Sequence, residues 1–114
     1  MSELADCNIS LVNDVFIKQM IFKDKGDLAV THAHVYDHQT LLSVGALKVT
    51  VDEVPTIYLA PTIIVIQAGK YHCLEALEPG TVAYCIHRLK GSDCVDEAES
   101  LVVGLPNTAL QGLA

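Results

Sequence analysis

Apolar and polar positions alternate with a period of two over much of the chain. The plainest case is Leu47, Val49 and Val51, interleaved with Lys48, Thr50 and Asp52, which predicts a strand with one face buried and the other in water. Thr62 to Ile66 is apolar on both faces, which predicts a strand either central in a sandwich or covered by a partner subunit. A further strand is expected over Thr81 to Leu89, with Tyr84 and Ile86 on one face and Cys85 and His87 on the other. Turn signals fall between these segments at short intervals: Asp24-Lys25-Gly26-Asp27, Gly45, Asp52-Glu53, Ala60-Pro61, Ala68-Gly69, Glu78-Pro79-Gly80 and Lys90-Gly91-Ser92. Short β-branched segments punctuated in this way predict an all-β sandwich or barrel. No internal repeat or low-complexity linker divides the chain. Near its end, Asp93 could cap a short helix through Asp96 to Glu99, and Leu101 to Ala114 is an uncharged apolar tail expected to pack on the barrel or on a second chain.

Composition narrows the class. The 114 residues, 12.3 kDa, suit one domain. A hydrophobic fraction of 51%, a charged fraction of 18% and a mean hydropathy of +0.37 exclude a disordered chain. Fourteen acidic against seven basic side chains give a net charge of −7 and a pI near 4.9, which disfavours nucleic acid as a partner. Val54 to Gly69, the longest uncharged run, is interrupted by Pro55 and Pro61, so no transmembrane helix is expected. The acidic start, Met1-Ser2-Glu3-Leu4-Ala5-Asp6, does not read as a secretion signal; a cytoplasmic location is the expectation. Cys7, Cys73, Cys85 and Cys94 form no C-x-x-C pair and are expected to be reduced, which also argues against a zinc ribbon.

The candidate chemistry lies in four of the five histidines: His32, His34, His38 and His72. On a strand His32 and His34 share a face, together with Leu28 and Val30, and that face is otherwise apolar. Two imidazoles on a buried face each need partners for both ring nitrogens, or their burial is costly. A metal ion meets that need, and His-x-His on a strand presents two nitrogens to one ion. The plainer alternative is a set of exposed or hydrogen-bonded histidines.

The run Gly26-x5-His32-x-His34-x3-His38-x6-Gly45 resembles the first motif of the cupin superfamily, G-x5-H-x-H-x3/4-E-x6-G, with His38 where the family usually has glutamate. Pro61-x5-Gln67-x-Gly69-x2-His72-x3-Ala76 resembles the second motif, G-x5-P-x-G-x2-H-x3-N, agreeing in type only at Gly69 and His72. The resemblance implies a small double-stranded β-helix, or jelly-roll barrel, over residues 1–114, often paired as a homodimer. It also implies one divalent transition metal held near the barrel mouth by His32, His34, His38 and His72. With His38 in place of the carboxylate the donor set is all nitrogen, which suits zinc, nickel, copper or iron(II) and disfavours a two-histidine, one-carboxylate iron site. Cys73, next to His72, is expected on the opposite face, and His87 is either a residue supporting the ligands or simply hydrogen-bonded. Tyr36, Gln67, Tyr71, Glu75 and Tyr84 are candidate acid–base groups. The implied function is a metal-dependent enzyme, an oxygenase, isomerase or lyase acting on a small molecule in the barrel. The alternatives are a non-catalytic metal- or ligand-binding cupin, such as a sensor or stabilising subunit, and a metal-free structural protein.

Overall fold

A computed structural model describes residues 4–31, 38–67 and 69–88. Within them the all-β expectation holds. Nine strands follow in order: β1 (Asp6–Val12), β2 (Val15–Phe22), β3 (Leu28–Thr31), β4 (His38–Val44), β5 (Ala46–Val51), β6 (Val54–Leu59), β7 (Thr62–Ile66), β8 (His72–Ala76) and β9 (Thr81–Arg88). They form a five-stranded sheet, β1-β2-β9-β4-β7, and a four-stranded sheet, β3-β8-β5-β6. Every pairing between strands is antiparallel.

Tight connections set the registers. Val12 pairs with Val15 and Val51 with Val54, so β1–β2 and β5–β6 are hairpins with two-residue loops. In the second, Asp52 and Glu53 both take positive φ, +47° and +69°, the backbone whose twist matches that of the flanking strands. Asn13 does the same in the first, at +54°. The Ala60-Pro61 peptide, between β6 and β7, is cis.

The core is built from both sheets: Met20, Phe22, Leu42, Ile64, Ile66, Ala83 and Cys85 of one meet Ala29, Leu47, Val49, Leu74 and Ala76 of the other. The alternation predicted for β5 is present, with Leu47 and Val49 buried inside. On its outer face Lys48 reaches Glu75, its register partner on β8, at 3.6 Å. For β7 the first of the two alternatives falls: it is not central but the edge of the five-stranded sheet. Ile64 and Ile66 face inward, whereas Ile63 and Val65 are 67% and 59% exposed. A doubly apolar pattern reports two apolar faces and not the number of hydrogen-bonded neighbours, so it could not distinguish the two positions. The proposed helix after Asp93 and the tail from Leu101 lie outside the described residues. No helix among the described residues is long and apolar enough to cross a membrane.

Candidate metal and ligand site

The strand ends that carry the candidate chemistry meet at one end of the barrel, its mouth. β3 leaves at Thr31 and β4 enters at His38, so the segment holding His32 and His34 begins and ends there. β8 enters at the same end, with His72 paired to Thr31 on one side and Val51 on the other. β9 leaves there through His87, opposite Phe16 of β2. At the opposite end the two motif regions are tied together: the Gly26 N–H donates to the Ala76 carbonyl at 2.8 Å, and the Ala76 N–H to the Asp27 carbonyl at 2.9 Å.

His72 is 4% exposed and shares the inner face of β8 with Leu74 and Ala76. Its Nδ1 lies 3.3 Å from the Lys70 carbonyl oxygen. A carbonyl can only accept, so this bond puts the proton on Nδ1 and the lone pair on Nε2, the form in which a histidine ligates a metal. Burial holds the imidazole below its ordinary pKa, opposed by the bond to Lys70 and helped by the positive charge of Lys18; the ring is neutral at pH 7. The short turn that aims it is anchored in turn. Gly69 takes φ +80°, the Asp52 N–H donates to the Tyr71 carbonyl at 3.2 Å, and Lys70 Nζ meets Asp52 Oδ2 at 3.0 Å.

The other expected ligands are placed less completely. His38 begins β4, its backbone opposite Ile66. His32 and His34 lie outside the described residues, and among the described residues no three His, Cys, Asp or Glu side chains converge on one point. Of the face on which they were expected, the structure describes Leu28, and there the expectation needs correcting. The buried position of β3 is Ala29, opposite Leu74, whereas Leu28 is half-buried opposite Glu75 on the outer side. The face of Leu28 is therefore not the face of His72.

The remaining candidates separate by face. Cys73 is half-buried on the side of β8 away from His72, as expected. Glu75 lies on the same outer side, beside Lys48. Tyr84 is on the outer face of β9, its hydroxyl accepting from Gln19 Nε2 at 2.9 Å. Gln67 is exposed, and Tyr71 is 68% exposed; Tyr36 lies outside the described residues. The inner face of β9 carries Thr81, Ala83, Cys85 and the half-buried His87. Cys85 is inert as a nucleophile: burial pushes its thiol up to about 11, and its Sγ lies 3.7 Å from Thr40 Oγ1.

An inward residue not anticipated from the sequence is Lys18. It falls between Phe16 and Met20, both fully buried, on the inner face of β2. The parity of Phe16, Met20 and Phe22 carries a trace of it, masked in the sequence by the outward Ile17 and Ile21.

No protein-family model matches the sequence, and no curated protein matches it. Solved structures do resemble the fold. KdgF from Halomonas sp. superposes with a TM-score of 0.63 at 20% identity, over 76% of this chain and 80% of that one. A cupin 2 conserved barrel domain protein from Salinispora arenicola gives 0.67 at 13% identity, over 81% and 80%. A protein of unknown function from Streptococcus pyogenes gives 0.61 at 21% identity, over 80% and 82%. At these identities the likeness is one of fold.

Proposed function

We propose that this chain, whose strands form the double-stranded β-helix of the cupins, is a metal-binding cupin acting as a metal-dependent enzyme on a small molecule held in the barrel. The observation that carries this reading is His72: a buried, neutral imidazole with its proton fixed on Nδ1, at the end where the His32–His38 segment leaves and re-enters the sheets. A metal fits this donor chemistry, since a neutral imidazole oriented by a backbone carbonyl is a ready nitrogen ligand. His32, His34, His38 and His72 would hold one divalent transition metal. Once bound, such an ion polarises an oxygen of the ligand. The chain's own contribution is to keep His72 neutral, to fix its ring through Lys70, and to shield the interior from water with Phe16, Leu74 and Val49.

Untagged wild-type protein should carry close to one equivalent of a single transition metal by mass spectrometry, and a folded His72→Ala variant should lose most of it. A wild-type protein without metal, and without a rise in stability on adding zinc, nickel or iron(II), would remove the metal from this reading.

A homodimer belongs to the same reading. β6 and β7, edges of the two sheets, expose Ile57, Leu59, Ile63 and Val65, each more than half accessible, a surface that a second copy would cover. Light scattering should give twice 12.3 kDa; the single-chain mass alone would refute it.

A further inference from the structure

Among the described residues, Lys18 is the one lysine or arginine on an inner face. Its register partners are Ile9 on β1 and Cys85 on β9, and Cys85 in turn lies opposite Thr40 of β4. Cys85 and Thr40 are 1% and 0% exposed. Lys18 itself is half-buried, and its charge is felt at His72 of the opposite sheet and at Cys7 and Cys85 beside it. The parity of buried Phe16, Met20 and Phe22 and the pairing with buried Cys85 place Lys18 on the inner face of β2.

The other described cations are differently disposed. Lys23 lies 3.1 Å from Asp6, Lys48 3.6 Å from Glu75, Lys70 3.0 Å from Asp52 and Arg88 2.9 Å from Asp14, all toward solvent. Lys25 is exposed in a turn. Among the described residues Lys18 has no ion pair and no hydrogen bond. In a chain of net charge −7, an inward-facing ammonium with none of the described carboxylates paired to it is available to an anionic group from outside the chain. The stem of a lysine can pack on apolar neighbours while its head stays accessible, in keeping with a half-buried Lys18 between Phe16 and Met20.

We propose that the small molecule of this barrel is a carboxylate, whose anionic group is taken by Lys18 Nζ on the row formed by Lys18, Cys85 and Thr40. This deepens the proposed function by naming its ligand class, and it rests on the barrel interior being the ligand site. The row lies two residues inside the Phe16–His87 pair, about 7 Å along the strands. A ligand one small molecule long therefore spans from Lys18 to the His72 end. One ammonium balances one negative charge, and the net charge of the protein opposes polyanions, so a monocarboxylate is favoured over a phosphate. Phe16 and Met20, on either side of Lys18, give the remainder of the ligand apolar walls.

The test is an amide NMR titration of the full chain as purified, at low salt, with butyrate, its neutral isostere butyramide and inorganic phosphate. Butyrate should shift amides of Lys18, Cys85 and Thr40 to saturation. Binding should weaken about tenfold or more, the worth of one charge-assisted hydrogen bond, for butyramide and in a Lys18→Met variant whose circular dichroism matches wild type. Lys18→Arg should retain most of the affinity. No butyrate binding to wild type, equal binding to Lys18→Met, or equal binding of butyramide would overturn the proposal, and phosphate binding as tightly as butyrate would overturn the choice of carboxylate. Metal content separates this proposal from the previous one. A Lys18→Met variant that keeps its metal and its butyrate affinity sinks the Lys18 site alone, whereas butyrate binding that survives in metal-free His72→Ala upholds Lys18 without the metal.

Discussion

Gly45→Ala is expected to lower stability by about 3 kcal/mol, enough to move the melting temperature of a domain this size by roughly 15 °C. Gly45 alone joins β4 to β5 and takes φ +90°, a region that L side chains rarely adopt. A methyl there would overlap the Thr81 hydroxyl, lie 2.9 Å from Thr81 Cβ and 3.0 Å from its Cα. Thr81 cannot easily yield. It is fully buried, and its hydroxyl donates to the Glu78 carbonyl at 2.8 Å. The Gly45 carbonyl also accepts from the Ala60 N–H at 3.0 Å, which fixes the turn from the other side. Gly80 is the control: its φ is +74°, but an added Cβ meets nothing within 4 Å, so Gly80→Ala should carry backbone strain only, about 1 kcal/mol. Urea unfolding of the two variants measures the difference; equal losses would mean that contact with Thr81 contributes nothing.

Phe22→Ala should cost about 3–5 kcal/mol, a large part of the stability of a small domain. The chain has two phenylalanines and no tryptophan, and both phenylalanines, Phe16 and Phe22, are fully buried on the inner face of β2. Phe22 belongs to the cluster shared by the two sheets, with Met20, Leu42, Leu47 and Leu74. Its carbonyl accepts from the Gly80 N–H at 2.9 Å, so the strand end is held by the backbone and cannot collapse into the space left behind. Val12→Ala, at a side chain 60% exposed and away from β6 and β7, should change stability by less than about 0.5 kcal/mol. Denaturant midpoints would decide, and similar losses at Phe22 and Val12 would contradict the core described.

Much of the fold was legible because hydrophobicity and strand period agree. Leu47, Val49 and Val51 alternate cleanly with polar neighbours, and Asp52-Glu53 is the two-residue turn that closes their hairpin. Where both parities are apolar, the pattern loses its sense of direction. In Leu28-Ala29-Val30 every residue is apolar, and only pairing with Leu74 and Glu75 shows that Ala29 is the inner one. In Val15 to Phe22 the outward Ile17 and Ile21 hide the inward set, so Lys18 could not be assigned a face. His72 was found because its spacing from Gly69 stood out, whereas its orientation depends on Lys70 and Asp52, partners that spacing alone does not reveal. Two of the acid–base candidates were misplaced for a related reason: Glu75 and Tyr84 have partners on the outer faces, and only register shows which face that is.

The base of the barrel is laced through its connections: Gly26 and Asp27 to Ala76, Leu77 to Ala46, Ala60 to Gly45, and Gly80 to Phe22 and Lys23. These bonds use backbone atoms, so they are indifferent to most side-chain exchanges, and they lie at the opposite end of the strands from His72 and His87. On the proposed function, stability and recognition thereby fall to separate ends of the same strands. Selection, or a designer, can re-specify the rows around Lys18 and His72 while the knot below them keeps the scaffold intact, a separation that makes this barrel a receptive starting point for new ligands.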